Sequence, residues 1–444
     1  MSVSLLSNIT TTMYELISLK QGKEKPSQFK HPWIFSGALE QVPKTVQNGS
    51  LVTVKDYDGN LVGVGTYTSR SMFAVRIFDF KDTEIDEKWF IEKFKEADAK
   101  RQLLGYGFSA NTKTTAYRLI FGESDNIPGL VVDRYEDTFV IKISTLGTDL
   151  LRDLIIKALI KVFKPKCIVE RSDMPSRKEE GVEPLIKIQY GKLGTDAKTL
   201  TAAKISSKSK SRSNIENQSQ SKIPTNPPLI EFTENGYKFC ADVLRGQKTG
   251  FFLDQKDLRK AIAPLSKDKK VLNLFSYSGS FGVIALKNKA KHVTNVDVSE
   301  EALALCERNA KLNKIPKTKY STEKADVFQW LSTRKDPEFD MVIIDPPALI
   351  KSNKDKDEGI KAYHFLNRAS LRLVKDNGIF VTSSCSHYLT DDDFSLILKK
   401  AGIQAGVTLS ILAKITQSPD HPISLYFPES EYLKSYICLV SRAF

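Results

Sequence analysis

Residues 271–282 read Val-Leu-Asn-Leu-Phe-Ser-Tyr-Ser-Gly-Ser-Phe-Gly. The first five are mostly apolar, which is typical of a strand buried on both faces, and the small residues behind them suit a tight strand-to-helix turn. Three more strand-like runs follow at 292–297, 340–345 and 378–383, each with a helical stretch behind it. This alternation predicts a parallel, doubly wound α/β sheet.

Residues suited to binding a ligand stand at or just after the ends of these strands. They are Gly279, Gly282, Asp297 and Asp345, and Asp326 follows one further putative strand, in Glu323-Lys-Ala-Asp-Val-Phe, which is the third of five along the chain. Ligands of a doubly wound sheet bind at the carboxyl ends of its strands, so we expect these residues to share one rim. The carboxylate of Asp297 can accept both hydroxyls of a ribose. Asp345, followed by two prolines that hold the backbone extended, can hold the polar edge of a nucleobase or an amine, whereas Asp326 is also a candidate helix cap.

The glycine spacing limits the kinds of ligand that the site can bind, and one cysteine lies at the same predicted rim. Gly279 and Gly282 match neither G-x-G-x-x-G nor G-x-x-x-x-G-K, so neither a dinucleotide nor a triphosphate is indicated. Cys385 ends the fifth strand-like run, at the predicted rim of the sheet. A lone cysteine is usually an inert buried residue, so position alone leaves both a structural and a reactive role open.

The residues before this sheet predict two smaller folds. Short strand-like runs separated by turns predict a β-barrel, an amphipathic pattern at 84–105 predicts a linker helix, and strands with one helix at 118–190 predict a small α+β module. We therefore divide the chain into a barrel at 14–80, a linker helix with an α+β domain at 81–191, an insertion at 192–228 and the α/β domain at 229–444.

The insertion has a composition of its own. Seven serines stand between Ser206 and Ser221, lysines are interspersed, and almost no large apolar residue follows Leu200. Such a segment cannot bury enough apolar surface to order itself, so we predict disorder, with a basic arm that touches RNA as the alternative.

Composition limits the class of protein. In 444 residues, Lys and Arg outnumber Asp and Glu by 66 to 53, a net charge of +13 that favours a polyanionic partner such as RNA. The five cysteines and five histidines are scattered without metal-ligand spacing, so we expect neither a disulfide framework nor a metal. No apolar run is long enough for a membrane helix and the first 20 residues do not resemble a secretory signal, so we expect a cytoplasmic protein.

Several motifs resemble a known family. The segments Phe275-Ser-Tyr-Ser-Gly-Ser-Phe-Gly, Val296-Asp297, Asp345-Pro-Pro and Ser384-Cys-Ser look like motifs of class I S-adenosylmethionine-dependent RNA methyltransferases. More narrowly, His31-Pro-Trp-Ile-Phe-Ser-Gly37, Lys248-Thr-Gly-Phe-Phe-Leu-Asp-Gln255 and Phe427-Pro-Glu-Ser-Glu-Tyr-Leu-Lys434 are similar to the RlmI-like ribosomal RNA large-subunit cytosine-5 methyltransferases. The resemblance covers the chain except residues 1–13 and the insertion, which departs from the compact family pattern.

The resemblance implies both an architecture and a site. An N-terminal PUA domain and a central α+β domain would precede a Rossmann-like methyltransferase domain. Cys385 would add to C6 of a cytosine in large-subunit ribosomal RNA, and Asp345 would hold N3 and the exocyclic amine. The residues expected to hold S-adenosylmethionine are Phe275, Ser276, Gly279, Asp297, Asp326, Asp345, Lys248, Phe251 and Gln255. The residues expected to contact RNA are Lys30, His31, Trp33 and Arg70, although Trp33 is favoured as barrel core and Phe251 is equally suited to a core.

Some alternatives stay open at this point. The base that removes the C5 proton is unassigned between Glu429, Glu431 and water, while Asp420 and His421 are near in sequence only. The Asp-Pro-Pro loop also suits direct transfer to another position, such as a guanine nitrogen. A different class of protein, an RNA-binding assembly factor without catalysis, would keep the barrel but not need the acidic residues and the thiol. A homodimer is compatible with the sequence but not indicated by it.

Overall fold

The computed structural model describes residues 14–107, 112–193 and 227–442. Residues 194–226, nearly all of the predicted disordered insertion, lie outside the described residues. The chain divides into two compact units. The described residues of the first are 14–104, 118–193, 227–228 and 423–428, and those of the second are 105–107, 112–117, 229–422 and 429–442.

The first unit begins with a small five-stranded sheet. Its strands are β1 (Glu15–Ser18), β2 (Trp33–Phe35), β3 (Leu51–Lys55), β4 (Leu61–Tyr67) and β5 (Phe73–Asp79), in the order β1-β3-β4-β5-β2, with the short helix α1 (Lys25–Gln28) between β1 and β2. All five strands contribute to one apolar core, including Val52, Val54 and Ile77. The predicted N-terminal barrel is therefore present, but Trp33 is half-buried and lies outside that core.

A second five-stranded sheet follows the first. Its elements are α2 (Glu87–Leu103), β6 (Ala116–Phe121), β7 (Leu130–Tyr135), β8 (Thr138–Ile143), α3 (Leu146–Leu150), α4 (Arg152–Phe163), β9 (Cys167–Ser172), α5 (Ser176–Glu179) and β10 (Leu185–Gly191), and the strand order is β10-β9-β8-β7-β6. The strands β8 and β9 pair in parallel because two helices, α3 and α4, make the crossover between them. The predicted linker helix is α2, whose apolar side packs on α4.

The second unit contains the predicted α/β sheet. A hairpin of β11 (Ile230–Glu234) and β12 (Tyr237–Ala241) precedes α6 (Lys256–Ile262), β13 (Lys270–Leu274), α7 (Ser280–Lys287), β14 (His292–Asp297), α8 (Glu300–Leu312), β15 (Tyr320–Lys324), α9 (Val327–Ser332), β16 (Phe339–Ile344), α10 (Lys356–Arg372), β17 (Val374–Ser384), α11 (Asp391–Ala405), β18 (Thr408–Ile415) and β19 (Lys434–Ser441). Strands β13 to β19 form one sheet in the order β15-β14-β13-β16-β17-β19-β18. The order reverses on either side of β13, which places a crevice at its carboxyl end.

The sheet departs from the prediction at one strand. β19 runs antiparallel to both β17 and β18, so the sheet is not wholly parallel. Strands β18 and β19 follow each other without a crossover helix, and sequential neighbours joined in this way pair antiparallel. The central strands match the prediction, since Leu272, Leu274 and Val342 are completely buried.

One buried ion pair ties the hairpin to the sheet domain. Arg259 on α6 donates from Nε and Nη2 to the two carboxylate oxygens of Glu234 on β11, at 2.6 Å each. Both side chains are at most 1% exposed, and Nη2 also donates to the carbonyl oxygen of Phe252 at 2.9 Å. The arrangement fixes the start of the segment that leads into α6. Within the described part of the chain, no helix is long and apolar enough to cross a membrane.

Candidate active site

The loop after β13 has a strained backbone that only particular residues can adopt. Phe275, Tyr277 and Gly279 have positive φ angles of 55°, 45° and 69°. Gly279 stands directly before α7, and a Cβ atom there would collide with the Sγ of Cys306 on α8. Glycine is therefore required for the loop to lie this close to α8. The side chain of Ser276 is buried in the same loop.

Asp297 fixes this loop from the neighbouring strand. Its Oδ2 accepts from the backbone N–H of Tyr277 at 2.8 Å, and its Oδ1 accepts from the N–H of Ser299 at 2.9 Å. Each carboxylate oxygen has a second lone pair, so both can still accept a hydroxyl hydrogen from a ligand. The geometry thus suits the ribose-binding role predicted for Asp297.

Asp326 is a helix cap in this structure. Its Oδ1 accepts from the backbone N–H of Gln329 at 3.0 Å, at the first turn of α9. Capping was the alternative role in the sequence, and it is compatible with a ligand contact because one side chain oxygen is left over. A role at the adenine edge stays a prediction.

A cluster of charged and polar side chains surrounds Asp345, beyond the end of β16. Gln255 donates from Nε2 to Asp345 Oδ1 at 2.8 Å. The neighbouring residue, Asp254, accepts at Oδ2 from Lys248 Nζ and from the hydroxyl of Tyr432, both at 2.6 Å. Three segments of the chain, 248–255, the one with Asp345 and the one with Tyr432, therefore meet in this cluster. Of these residues, the sequence had indicated Lys248, Gln255 and Asp345, whereas Asp254 and Tyr432 were missed.

The two carboxyl groups of this cluster differ in acidity. Burial and the nearby Asp254 charge raise the pKa of Asp345 to about 7, although Lys248 and Arg259 act in the opposite direction. Burial also acts to raise the pKa of Asp254, but Lys248 and His421 outweigh it and hold that pKa below its ordinary value. Asp254 is thus ionised at neutral pH, while Asp345 gains and loses a proton there. Paired groups with separated pKa values are typical of sites that move protons.

Cys385 directly follows β17, and the charges of Lys248, Asp345 and Asp254 act on its thiol. Burial raises the pKa of its thiol to about 11, with Lys248 lowering it and Asp345 raising it. The next residue, Ser386, is held by hydrogen bonds from the backbone N–H of Ile350 at 3.1 Å and with the hydroxyl of Tyr363 at 2.9 Å. Its carbonyl oxygen accepts from Lys434 Nζ at 3.1 Å. The cysteine backbone is therefore well fixed, and the thiol is protonated at neutral pH until a base takes its proton.

The aromatic residues of the predicted cofactor motif separate into two groups. Phe251 is 1% exposed and packs against Phe232 and Phe239, with ring centroids 5.0 and 5.3 Å away. The ring centroid of Phe252 instead lies 4.4 Å from Lys248 Nζ and 5.2 Å from the ring centroid of Tyr277. Phe252 is thus the ring that borders the polar cluster, and Phe251 belongs to the core.

Asp420 and His421 are buried beside this cluster. From the sequence alone, they were near Glu429 and Glu431 along the chain only. Asp420 pairs with Lys256 Nζ at 2.9 Å and with His421 Nδ1 at 3.2 Å. Ser418 in the same segment donates from its backbone N–H and its hydroxyl to the carbonyl oxygen of Asp254, at 2.9 and 3.0 Å. The segment therefore supports Asp254 from behind. An isolated Asp-His pair far along the sequence gave no signal of this contact.

The site has buried polar atoms without a partner in the described protein. Among the described residues, the buried atoms without a hydrogen-bond partner include four here: Asp254 Oδ1, Gln255 Oε1, Ser276 Oγ and Ser278 Oγ. Buried polar atoms are rarely left unpaired in proteins, so these four are open to a polar ligand or to water. The residues present therefore fit a polar, nucleoside-like cofactor and a nucleobase.

The predicted RNA contacts all lie in the first unit. The Trp33 ring packs on Phe73 and Phe427, at centroid distances of 4.2 and 4.6 Å, and its Nε1 donates to Glu123 at 2.9 Å. His31 joins the same aromatic group through Phe427, at 5.7 Å. The other two candidates lie in different contacts: Arg70 donates to the carbonyl oxygen of Glu180 at 3.1 Å, and Lys30 Nζ is 5.0 Å from the Phe80 ring centroid. His31 and Trp33 also contact each other, with ring centroids 6.0 Å apart.

The raised pKa of Asp345 leads to a prediction about stability. Its ordinary pKa is 3.8 and its folded-state pKa is about 7, so the folded protein retains a proton that the unfolded chain releases between these pH values. Asp345 therefore lowers the free energy of unfolding as pH rises from about 4 to about 7. We expect Asp345→Asn to stabilise the protein by about 1–3 kcal/mol at pH 8 and by less at pH 5. Urea unfolding of both proteins at both pH values measures this, and an equal difference at the two pH values would contradict it.

Two family models match the chain. One, of S-adenosylmethionine-dependent methyltransferases, matches residues 206–393, and the other, of PUA-like domains, matches residues 17–80. The second match coincides with the N-terminal five-stranded sheet, and the first extends through the loop of Gly279, Asp297 and Asp345 to beyond Cys385.

Two curated relatives that match nearly the whole chain carry the same name. Ribosomal RNA large subunit methyltransferase I of Tolumonas auensis is 35% identical over 432 residues, which is 97% of this chain and 99% of that protein. The protein of the same name from Vibrio vulnificus is 34% identical over 432 residues, covering 96% of this chain and 100% of the relative.

Solved structures share the fold. SMU.776, assigned as a methyltransferase and crystallised with SAH, superposes with a TM-score of 0.75 at 22% identity, over 96% of this chain and 99% of that one. A Streptococcus mutans structure assigned to the SAM-dependent methyltransferases gives 0.74 at 22% identity, over 96% and 100%. At this identity the similarity establishes the architecture, which agrees with the predicted arrangement of a barrel, an α+β module and a Rossmann-like sheet.

Proposed function

The chain belongs to the ribosomal RNA large subunit methyltransferase I family, and from this premise we propose that it forms 5-methylcytosine in large-subunit ribosomal RNA through a covalent bond to Cys385. As a member of that family it is an S-adenosylmethionine-dependent enzyme with an RNA substrate. The finer assignment rests mainly on one observation: β16 and β17 are parallel neighbours in the sheet, and Asp345 and Cys385 directly follow them at the same edge. The charges of Lys248, Asp345 and Asp254 act on the pKa of this thiol.

The chemistry of cytosine explains why a thiol is needed. C5 belongs to an aromatic ring without negative charge and is a poor nucleophile. Addition of a thiolate to C6 breaks the C5–C6 double bond and makes C5 an enamine carbon, which can accept a methyl group. Loss of the C5 proton then restores the double bond and releases the sulfur. Direct transfer to a nitrogen would need no such thiol.

In this proposal, Asp345 accepts the thiol proton and donates a proton to N3 in the first step. As the bond from Sγ to C6 forms, the thiol proton must leave and N3 of the ring must gain one. Because the pKa of Asp345 is about 7, its carboxylate can accept the first proton and its acid form can donate to N3. Lys248 supplies a positive charge that lowers the pKa of Cys385. Neither group changes the overall balance of protons.

In this proposal, the cofactor binds at the carboxyl ends of the sheet strands. When bound, S-adenosylmethionine supplies an activated methyl group that needs no metal. The loop of Phe275, Ser276 and Gly279 would hold its methionine half, Asp297 its ribose and Asp326 its adenine edge. The unpaired hydroxyls of Ser276 and Ser278 fit this placement.

In the RNA-binding half of the proposal, the N-terminal sheet contacts the substrate. Trp33 and His31 present partly exposed rings on which an unpaired base can stack, and Lys30 and Arg70 are exposed cations suited to phosphates. The target base must leave any helix or stack to reach a site at the rim, so we expect an unpaired region of the RNA to be the substrate.

Asp297→Ala tests the cofactor placement. We expect at least a tenfold loss of S-adenosylmethionine affinity, since the substitution removes both the ribose acceptor and the bond that orients Tyr277. Isothermal titration with the cofactor measures this. Asp376 is an exposed residue within β17, and Asp376→Ala serves as the matched control. This variant should bind S-adenosylmethionine as tightly as the wild type does. Unchanged affinity in Asp297→Ala would remove the residue from the cofactor site.

The product identifies the function. We would incubate unmodified large-subunit ribosomal RNA with methyl-labelled S-adenosylmethionine and the protein, and analyse the nucleosides by mass spectrometry. The proposal predicts label in 5-methylcytidine. Label in a methylated guanosine would instead establish direct transfer to a nitrogen, and no label in any nucleoside would favour a binding protein without catalysis.

A further inference from the structure

Two adjacent side chains carry buried oxygen atoms that accept no hydrogen bond from any described residue. They are Asp254 Oδ1 and Gln255 Oε1. Their residues are only 3% and 2% exposed, so water in bulk does not satisfy them. Both atoms are acceptors, so a ligand that pairs with them must supply N–H or O–H hydrogens.

The other ends of these two side chains are firmly held. Asp254 Oδ2 accepts from Lys248 Nζ and from the Tyr432 hydroxyl, at 2.6 Å each. Gln255 Nε2 donates to Asp345 Oδ1 at 2.8 Å, which leaves Oε1 as its acceptor. Each free oxygen therefore has a fixed orientation, and the protein leaves these acceptors unpaired in a site that is otherwise well bonded.

The bond to Asp345 indicates which ligand group approaches. In the proposed function Asp345 reads N3 of the target cytosine, and one of its oxygens is already engaged by Gln255. The atom next to N3 on the base edge is the exocyclic amine at C4, which carries two hydrogens. Uracil has a carbonyl oxygen at the same position, and its lone pairs would face the ionised Asp254.

We propose that Asp254 and Gln255 form an amine-reading subsite, which accepts the exocyclic amino group of the target cytosine and rejects uracil. This inference rests on the proposed function. It moves the exocyclic amine, which the family resemblance assigned to Asp345, to Asp254 and Gln255, and leaves N3 to Asp345. Asp254 becomes a specificity-determining residue, supported by Lys248 and Tyr432, and Gln255 contacts the base in place of the cofactor contact predicted from the sequence.

Binding without catalysis tests the subsite. In a Cys385→Ala background, protein loaded with S-adenosylhomocysteine is titrated with two transcripts of the large-subunit RNA region that contains the mapped methylation site. The transcripts differ only in cytosine or uracil at that nucleotide. We expect the cytosine transcript to bind at least about tenfold more tightly.

Asp254→Asn is the decisive variant. Its amide replaces one acceptor by a donor, which can pair with the uracil oxygen, so the preference for cytosine should fall to threefold or less. Tyr432→Phe removes a bond to Oδ2 but leaves the Oδ1 acceptor in place, and it should keep the preference. This pair separates the reading of the amine from general loosening around Asp254.

Two results would overturn the inference. An unchanged preference in Asp254→Asn would show that the base is read elsewhere. A loss of S-adenosylhomocysteine affinity in Asp254→Asn with the cytosine preference intact would assign the acceptors to the ammonium group of the cofactor. Failure of the proposed function is distinguishable, because it would show as a methylated nucleotide other than 5-methylcytidine before any variant is compared.

Discussion

Cys385→Ala is expected to reduce 5-methylcytidine formation by about 10³-fold or more, with little change in S-adenosylmethionine affinity. Without Sγ no bond to C6 forms, and C5 stays part of an unactivated ring. The residue is partly exposed after β17, and it does not belong to the main apolar core of the α/β domain, so the protein should fold normally. Initial rates with labelled cofactor and unmodified ribosomal RNA measure the loss.

The control for this prediction is another thiol. Cys167 lies on β9, in the second five-stranded sheet of the first unit, and is 1% exposed. Burial raises the pKa of its thiol to about 11, the same value as for Cys385. Cys167→Ala should therefore retain activity, and the comparison separates a chemical role from the removal of a buried sulfur. Full activity in Cys385→Ala, with the product still 5-methylcytidine, would exclude the covalent route.

Arg259→Met is expected to cost about 3–5 kcal/mol in the free energy of unfolding. The substitution removes the two 2.6 Å hydrogen bonds to Glu234 and leaves that carboxylate buried without its cation. It also removes the bond to the Phe252 carbonyl oxygen, at the edge of the polar cluster. Urea unfolding monitored by circular dichroism measures the change.

A double variant tests the reason for this loss. If the cost comes from the unpaired Glu234 charge, replacing both members of the pair by apolar residues, as in Arg259→Met with Glu234→Leu, should recover most of the stability. A double variant as unstable as the single one would show that packing around Arg259, including its stacking 4.8 Å from the Phe251 ring centroid, is the larger contribution.

The sheet and its rim residues were predictable from local patterns. Near-continuous apolar runs specify buried parallel strands, and the carboxyl end of each run is where its ligand-binding residue must lie. Asp297, Asp345 and Cys385 were predicted as site residues in this way, because Asp297 ends its strand and the other two directly follow theirs. The direction of β19 was not predicted, since its apolar residues read the same in either orientation and only the short-range connection to β18 decides it.

The second layer of the site was hidden because its contacts span long stretches of chain. Tyr432 reaches Asp254 across 178 residues, and Asp420 reaches Lys256 across 164. Neither pair has a spacing that marks a motif. Phe251 and Phe252 illustrate a second limit, because adjacent aromatic residues look equivalent in sequence and only the turn of the backbone decides which enters the core. The candidate nucleophile, the carboxylate and Lys248 could therefore be named in advance, but Asp254 and Tyr432, which complete the charged cluster, could not.

The covalent intermediate is the central claim, and trapping it is the most direct test. Large-subunit ribosomal RNA in which cytidine is replaced by 5-fluorocytidine has no C5 proton to lose, so the bond from Sγ to C6 should persist after methylation. We would digest the protein–RNA product and sequence the modified peptide by mass spectrometry. We expect a methylated fluorocytidine attached to Cys385 in the wild type and none in Cys385→Ala. Methylated RNA without any attached peptide, or attachment at another residue, would contradict it.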